Sequence, residues 1–278
     1  MTPGNRLRGQ GGDDVIRAGD GNDRVRGGEG ADILDGGNGS DRLEYINDTV
    51  GVTVDLSANT ASGGNAEGDT IVNFESITGG EGDDRLTGDS NANRLDGRGG
   101  INILVGGGGN DTFIDTTLET TGAGGIFATS GEDLNILSYS SATAGIVVGE
   151  SSTTSRLFAT DGLGGTDTII HADRIIGSSN DDVFTITDNW NGSGRSGFDS
   201  SGVGQPNTNS FISIRGAGGN DTITGNGVTG IDLSDDSSGV TVVFSAEGNG
   251  TATGGSIGTD TFTGVNNIRG SSFDDTLT

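Results

Sequence analysis

The sequence predicts an all-β fold, a parallel β-roll or β-solenoid built from nonapeptide repeats with longer interrupting β segments. Glycine accounts for 56 of the 278 residues and the net charge is −26, a composition that does not fit an ordinary globular core. One nine-residue unit also occurs four times without a gap. The copies are GQGGDDVIR (9–17), AGDGNDRVR (18–26), GGEGADILD (27–35) and GGNGSDRLE (36–44). A unit with one aliphatic residue cannot bury it alone, so the units must stack on one another.

The end of each unit has the pattern of a short β-strand. Position six is Asp, and position eight is aliphatic. Positions seven to nine alternate outward, inward and outward, which predicts a three-residue strand with its middle side chain in the core. Two units therefore make one coil of about 18 residues, which rises by about 4.8 Å, the distance between neighbouring strands.

A second block of four units occupies residues 79–114. Position six is Asp in the first and last of these units but Asn93 and Asn102 in the middle two. An Asn side chain offers a carbonyl oxygen without charge, so any metal sites at Asn93 and Asn102 are expected to be weaker or empty. An isolated unit occupies residues 216–224.

Longer β segments interrupt the nonapeptides. The first covers residues 45–78, and its organisation recurs twice, each time ending in a unit with paired aspartates, at 177–185 and 270–278. Three regions are expected, 1–114, 115–185 and 186–278, stacked as one continuous solenoid. Segments 115–134 and 186–214 are the least regular and are predicted to form side loops or enlarged coils.

The glycine-rich turns predict calcium sites. Glycines at positions one, two and four allow positive φ and leave carbonyl oxygens uncovered, while the following Asp adds a carboxylate. Such an oxygen-only surface suits a hard divalent cation such as Ca²⁺. The predicted ligands are Asp14, Asp23, Asp32, Asp41, Asp84, Asp111, Asp182, Asp221 and Asp275, with Gly9, Gly11, Gly27, Gly36, Gly106 and Gly108 in the same turns.

The competing interpretation of these aspartates is a solvated acidic face. Stacking would bring carboxylates of successive coils close together, where they repel one another unless a cation lies between them. One buried aliphatic residue per nine also returns less free energy than the ordering of nine residues costs. We therefore expect the chain to fold only with calcium. The aspartates at position five are instead expected to be exposed turn residues: Asp13, Asp83, Asp181 and Asp274.

These repeats resemble those of the RTX family, the glycine- and aspartate-rich nonapeptide proteins secreted by Gram-negative bacteria. The interrupted pattern is similar to the long repeat tracts of large bacterial RTX surface proteins. The resemblance implies several Ca²⁺ ions, type I secretion, and an extracellular or cell-surface location where millimolar calcium orders the chain.

Other functions are disfavoured. The chain has no Cys, so it has neither disulfides nor a thiolate metal site, and it has no apolar run that could span a membrane. Its start lacks the apolar region of a Sec-type signal peptide. The strong acidity argues against nucleic acid as a partner. A single histidine, His171, and no nucleophile elbow argue against an enzyme, and Trp190 alone does not make a carbohydrate platform.

The sequence leaves three functions open. The first is a structural or adhesive module whose surface or matrix partner is unknown. The second is head-to-tail self-assembly into a filament or surface layer, because both ends of the sequence fall inside the repeat register. The third is the C-terminal repeat region of an RTX toxin or secreted hydrolase whose catalytic domain lies outside these residues.

Overall fold

The computed structural model describes residues 4–116, 134–150, 156–170, 172–186 and 212–278. Within these ranges it contains β-strands and one 3₁₀ helix, η1 (Gly64–Ala66), which confirms the all-β prediction. None of the described helices is long and apolar enough to cross a membrane. Most of the predicted side loops, together with His171 and Trp190, lie outside the described residues.

The chain divides into two compact units. Among the described residues, unit one comprises 4–116 with 134–135, and unit two comprises 136–278. The expectation of one continuous solenoid stays a prediction. The strands up to residue 116 are β1 (Arg6–Gly11), β2 (Val15–Arg17), β3 (Asp20–Gly21), β4 (Arg24–Glu29), β5 (Ile33–Asp35), β6 (Asn38–Gly39), β7 (Arg42–Glu44), β8 (Thr53–Asp55), β9 (Thr60–Ser62), β10 (Thr70–Val72), β11 (Ser76–Thr78), β12 (Arg85–Thr87), β13 (Arg94–Asp96), β14 (Ile101–Val105) and β15 (Thr112–Ile114).

Several of the later strands are longer, above all β23 and β26. They are β16 (Leu134–Ser138), β17 (Val147–Glu150), β18 (Leu157–Thr160), β19 (Thr166–Ile169), β20 (Arg174–Ile176), β21 (Val183–Thr185), β22 (Ile212–Arg215), β23 (Thr222–Asp232), β24 (Thr241–Ala246), β25 (Asn249–Gly254), β26 (Gly258–Arg269) and β27 (Thr276–Leu277).

Strand pairing confirms a roll of two nonapeptides per coil. In unit one, β1, β4 and β7 are parallel neighbours, with Arg6 opposite Arg24 and Arg24 opposite Arg42. On the other side of the roll, β2 pairs with β5 in the same way. The hydrogen bonds between successive turns accordingly join residues 18 apart. The position-eight side chains of these coils fill the interior, where Val25, Leu34 and Leu43 are fully buried.

The interrupting segment of unit one inserts one antiparallel strand into the roll. Strand β10 is parallel to β5, and β8 is parallel to β12, as in an uninterrupted coil. Between them lies β9, which is antiparallel to both β8 and β10. The insertion lengthens the coil without disturbing the register, so Ile71 and Val54 stay in the core.

Unit two contains two similar insertions, each a meander of three antiparallel strands. They correspond to the two later copies of the interrupting segment. They consist of β17–β18–β19 and of β24–β25–β26. Here β21, β23 and β26 are parallel neighbours, and their turns are joined by hydrogen bonds between residues 39 apart. The inward side chains remain regular, since Phe184, Ile223 and Phe262 are buried.

Candidate metal centre

The four turns of the first block share one backbone conformation. Positions two and four have positive φ in every copy, as in Gly28 (120°) and Gly30 (130°). Position two is Gln10 in the first copy, and it adopts a φ of 83°. Position one does not have positive φ in any copy, so the expectation for that glycine was wrong. Position one is Gly in three of the copies and Ala18 in the second.

The position-one glycine leaves room for the position-six carboxylate. A Cβ atom on Gly27 would lie 2.0 Å from Oδ2 of Asp32, and a Cβ atom on Gly9 would lie 2.2 Å from Oδ2 of Asp14. The Cβ on Gly9 would also lie 2.6 Å from the carbonyl oxygen of Gly27 in the next coil. A carboxylate oxygen and a carbonyl oxygen from two coils thus converge on one glycine.

The other carboxylate oxygen has a structural role. Oδ1 of Asp32 accepts a hydrogen bond from the backbone N–H of Asp14 (2.8 Å), and Oδ1 of Asp41 accepts one from Asp23 (2.7 Å). In unit two, Oδ1 of Asp221 accepts the N–H of Asp182 (2.8 Å). Each aspartate therefore ties its own turn to the turn before it, in a ladder of carboxylates along the roll.

The Oδ2 atoms show where a cation fits. In five of the position-six aspartates, Oδ2 is buried and has no hydrogen-bond partner among the described residues: Asp14, Asp23, Asp32, Asp41 and Asp221. A buried carboxylate oxygen without a partner is costly, and a bound cation removes that cost. No cluster of three His, Cys, Asp or Glu side chains occurs in the described part of the chain. The second oxygen near Gly9 is a backbone carbonyl, that of Gly27. An oxygen-only set of this kind fits Ca²⁺.

We call the turns with positive φ at positions two and four open turns. They comprise 9–14, 18–23, 27–32, 36–41, 97–102, 106–111 and 216–221. In the open turns 106–111 and 216–221, Cβ atoms on Gly106 and Gly216 would lie 2.2 Å and 1.9 Å from Oδ2 of Asp111 and Asp221. Gly11 and Gly108, at position three, keep negative or extended φ.

The other turns are closed, because the position-six side chain bonds within its own turn. Oδ2 of Asp84 accepts the backbone N–H of Gly80, and Oδ2 of Asp182 accepts that of Ser178, both at 2.7 Å. Asp275 accepts the Ser271 hydroxyl at 2.6 Å. The closed turns are 79–84, 88–93, 177–182 and 270–275, and none of them has a residue with positive φ. In Asp84 and Asp182 the oxygen that would face a cation already has a donor.

The side-chain amides of Asn93 and Asn102, where weaker or empty sites are expected, form hydrogen bonds within their own turns. Oδ1 of Asn93 accepts the N–H of Asp89 at 2.7 Å. In the open turn 97–102, Nδ2 of Asn102 donates to the carbonyl oxygens of Arg98 and Gly99 at 3.1 Å and 3.2 Å. The amide group of Asn102 thus takes the carbonyl oxygens that a cation would use in the same type of turn.

A comparison with protein families identifies the repeats. The model of the RTX calcium-binding nonapeptide repeat matches residues 8–43, 78–113 and 213–227, in four copies. These segments are RTX calcium-binding repeats. A comparison with curated proteins gives no match. RTX repeats are structural and bind calcium, and proteins that carry them are typically secreted.

Three further carboxylates extend the RTX ladders beyond the nonapeptides, and the sequence analysis missed them. Asp69 accepts the N–H of Asp32 (2.9 Å), Glu75 accepts that of Asp41 (2.7 Å), and Asp260 accepts that of Asp221 (2.9 Å). A signal was present for two of them, since Asp69 and Asp260 each precede Thr and an apolar residue, as Asp221 does. Glu75 has no such signal.

The position-five aspartates of the RTX turns are exposed, as predicted, but they also join the coils. Oδ1 of Asp13 accepts the N–H of Ala31 (2.9 Å), and Oδ1 of Asp83 accepts that of Ile101 (2.8 Å). Asp181 bonds in the same way to Asn220 (2.7 Å). Position five therefore reaches the following coil, whereas position six reaches the preceding one.

Without calcium, lowering the pH should partly stabilise the folded state of unit two, because protonation removes the charge of its ladder carboxylates. Burial and neighbouring carboxylates raise the pKa of Asp221 to about 8, and burial raises the pKa of Asp260 to about 7. Because the folded state holds these protons more tightly, they stabilise it at low pH, and this stability is lost as the pH rises through 7 to 8. In chelator, β-sheet circular dichroism should increase when the pH is lowered from about 8 to about 5. A β-sheet signal that rises with pH in chelator would contradict this assignment.

Proposed function

We propose that this chain is a structural repeat module of a secreted bacterial protein that folds when Ca²⁺ binds its open turns. The observation that carries the proposal is the set of buried Oδ2 atoms that have no partner among the described residues, each in a glycine-rich turn. Bound calcium would supply the positive charge that these oxygens need. Because the ligands come from successive coils, binding and folding are one event.

The open turns differ in what they stack against. In the first block an open turn lies on an open turn, since Gly28 faces the carbonyl of Gln10 and Gly37 faces that of Gly19. Turns 106–111 and 216–221 lie instead beside closed turns, as shown by the hydrogen bonds from Thr112 to Asn93 and from Thr222 to Asp182. We expect the first block to hold calcium most tightly, through Asp14, Asp23, Asp32 and Asp41.

The remaining predicted ligands divide between two roles. Asp111 and Asp221 belong to open turns and are proposed as ligands of weaker sites. Asp84, Asp182 and Asp275 are proposed as turn caps, because donors of their own turns already bond to them. This division replaces nine equivalent aspartates by two groups that can be tested separately.

A matched pair of amide substitutions tests the division. Asp32→Asn keeps an oxygen for the N–H of Asp14 but removes the charge, so we expect the chain to bind about one calcium ion fewer and to fold at several-fold higher calcium. Asp84→Asn makes the same chemical change in a closed turn and should leave the number of bound ions unchanged. Calorimetric calcium titration or native mass spectrometry counts the ions. Equal losses in the two variants would show that the turn conformation does not select the sites.

Weak, carbonyl-rich sites would suit an extracellular role. Extracellular calcium modules bind with dissociation constants of about 10⁻⁴ to 10⁻³ M, so such a chain would stay unfolded inside the cell and order outside it. Adhesion, head-to-tail self-assembly and attachment to an RTX toxin or hydrolase stay predictions. Sizing at high protein concentration with calcium tests assembly, because a monomer under those conditions excludes a filament.

A further inference from the structure

Six of the chain's 14 basic residues lie on one face of unit one. In one column Arg6 is opposite Arg24, and Arg24 is opposite Arg42. The column continues through Ser76 to Arg94. In a second column Arg8 is opposite Arg26. We call this surface the arginine face: Arg6, Arg8, Arg24, Arg26, Arg42 and Arg94.

These side chains point away from the core. Their neighbours Val25, Leu43 and Leu95 are fully buried, and side chains alternate along a strand. Arg6, Arg8 and Arg24 are exposed, and Arg26, Arg42 and Arg94 are partly exposed. On the other sheet of the roll, the corresponding position-seven residues of β2 and β5 are Val15 and Ile33. The other sheet carries Arg17 and Arg85, but these lie opposite Asp35 and opposite Thr53 and Ile103, so they form no arginine column.

Like charges in register on neighbouring strands oppose folding, so this arrangement needs a compensating charge. Among the described residues, the ion pairs of the arginine face all involve Glu44, which lies 3.1 Å from Arg26 and 3.9 Å from Arg24. Burial, followed by the neighbouring Arg94 and Arg24, lowers the pKa of Arg42, while Glu44 and Asp96 act in the opposite direction. Nε of Arg26 is buried and has no hydrogen-bond partner in the described part of the chain.

A groove runs beside the second column. It has a volume of about 670 Å³, and its lining combines Arg8 and Arg26 with three carboxylates (Glu29, Glu44 and Asp48) and three amides (Gln10, Asn47 and Asn65). Carboxylates and amides both bond to hydroxyl groups, so the anionic groups of a ligand would lie on the arginine columns beside the groove. The guanidinium groups can bind carboxylates or sulfates in a bidentate manner. Charged and hydroxyl-bearing groups in one ligand are the chemistry of an acidic sugar.

We propose that the arginine face binds a linear acidic polysaccharide. Arg6, Arg24 and Arg42 follow one another at about one strand spacing, 4.8 Å, so a polymer with regularly repeated anionic groups can contact several of them. Nucleic acid is disfavoured, because the rest of this acidic chain repels a densely charged polymer. The aromatic side chain at the groove, Tyr45, is 2% exposed and cannot stack on a base.

The test uses the full chain in saturating calcium, with hyaluronate oligosaccharides as the probe and dextran as the neutral control. Hyaluronate should bind and dextran should not, and binding should weaken as salt is added. Arg24→Gln with Arg42→Gln should reduce the affinity about tenfold or more, since each substitution removes a charge-assisted hydrogen bond to the ligand. Arg17→Gln with Arg85→Gln changes the net charge equally on exposed residues outside the face and should leave the affinity nearly unchanged.

Three results would overturn the proposal. They are no binding of hyaluronate to the native chain, equal losses in the two double variants, and equal or tighter binding of duplex DNA. Circular dichroism in calcium establishes that both variants are folded. A variant that does not fold is replaced by Arg6→Gln with Arg8→Gln, which changes two exposed residues of the first strand and should weaken binding in the same direction.

Discussion

Replacing Gly9 by alanine should weaken a calcium site and destabilise the first block, whereas replacing Gly11 in the same turn should do neither. Alanine is native at position one of the second copy, as Ala18, so a weakened site is expected rather than a lost one. A Cβ atom at Gly9 would lie 2.2 Å from Oδ2 of Asp14 and 2.6 Å from the carbonyl oxygen of Gly27, so the ligand oxygens must move apart. At Gly11 the nearest atom, the carbonyl oxygen of Glu29, is 3.9 Å away, which is an ordinary contact.

Comparing the Gly9→Ala and Gly11→Ala variants separates the steric effect of a new Cβ atom from backbone strain. Neither glycine has positive φ, so alanine is compatible with both backbone conformations. We expect Gly9→Ala to cost about 1–3 kcal/mol of stability in calcium, as overpacked sites do, and to raise the calcium concentration needed for folding. Gly11→Ala should be neutral or slightly stabilising. Thermal unfolding at several calcium concentrations measures both. Equal behaviour of the two variants would mean that the space above Gly9 is not a ligand site.

The regular part of the fold could be predicted from the sequence because its determinants are local. The nonapeptide spacing fixes which residues face inward, and Val25, Leu34 and Leu43 are indeed buried. The same spacing sets two units per coil, which the pairing of Arg6 with Arg24 confirms. These inferences needed only the period of the pattern and the alternation of side chains along a strand.

The conformation of a turn could not be predicted from its own residues. GGEGAD (27–32) and GGEGDD (79–84) differ at one position, yet the first is open and the second is closed. The difference lies in the neighbouring coil. Residues 27–32 lie on another glycine turn, whereas in 79–84 the N–H of Glu81 bonds to the carbonyl oxygen of Asp48 in the interrupting segment (2.7 Å).

The ladder members outside the nonapeptides were missed for the same reason. Asp69 reaches Asp32 only because a meander brings β10 beside β5, and that pairing joins residues 37 apart. Glu75 takes the place of an Asp by means of a longer side chain. Such substitutions depend on tertiary pairing, which a period in the sequence does not encode.

Calcium should determine whether this chain is folded at all, because the partnerless carboxylate oxygens repeat along the first block. Removing calcium should eliminate one stabilising contribution per occupied site, each worth about 1.4 kcal/mol when the ion is at ten times its dissociation constant. Several sites together are then comparable with the total stability of a small domain, about 5–15 kcal/mol. We therefore expect a large change in structure rather than a local loosening.

The most direct test is a calcium titration of the chelated chain, followed by far-ultraviolet circular dichroism together with its hydrodynamic radius. The β-sheet signal should be weak and the chain expanded in chelator, and calcium should restore a compact β-sheet form. Magnesium at the same concentration should not, because it requires a smaller octahedral site and gives up its water reluctantly. A chain equally compact, with the same β-sheet spectrum, in chelator and in calcium would contradict the account.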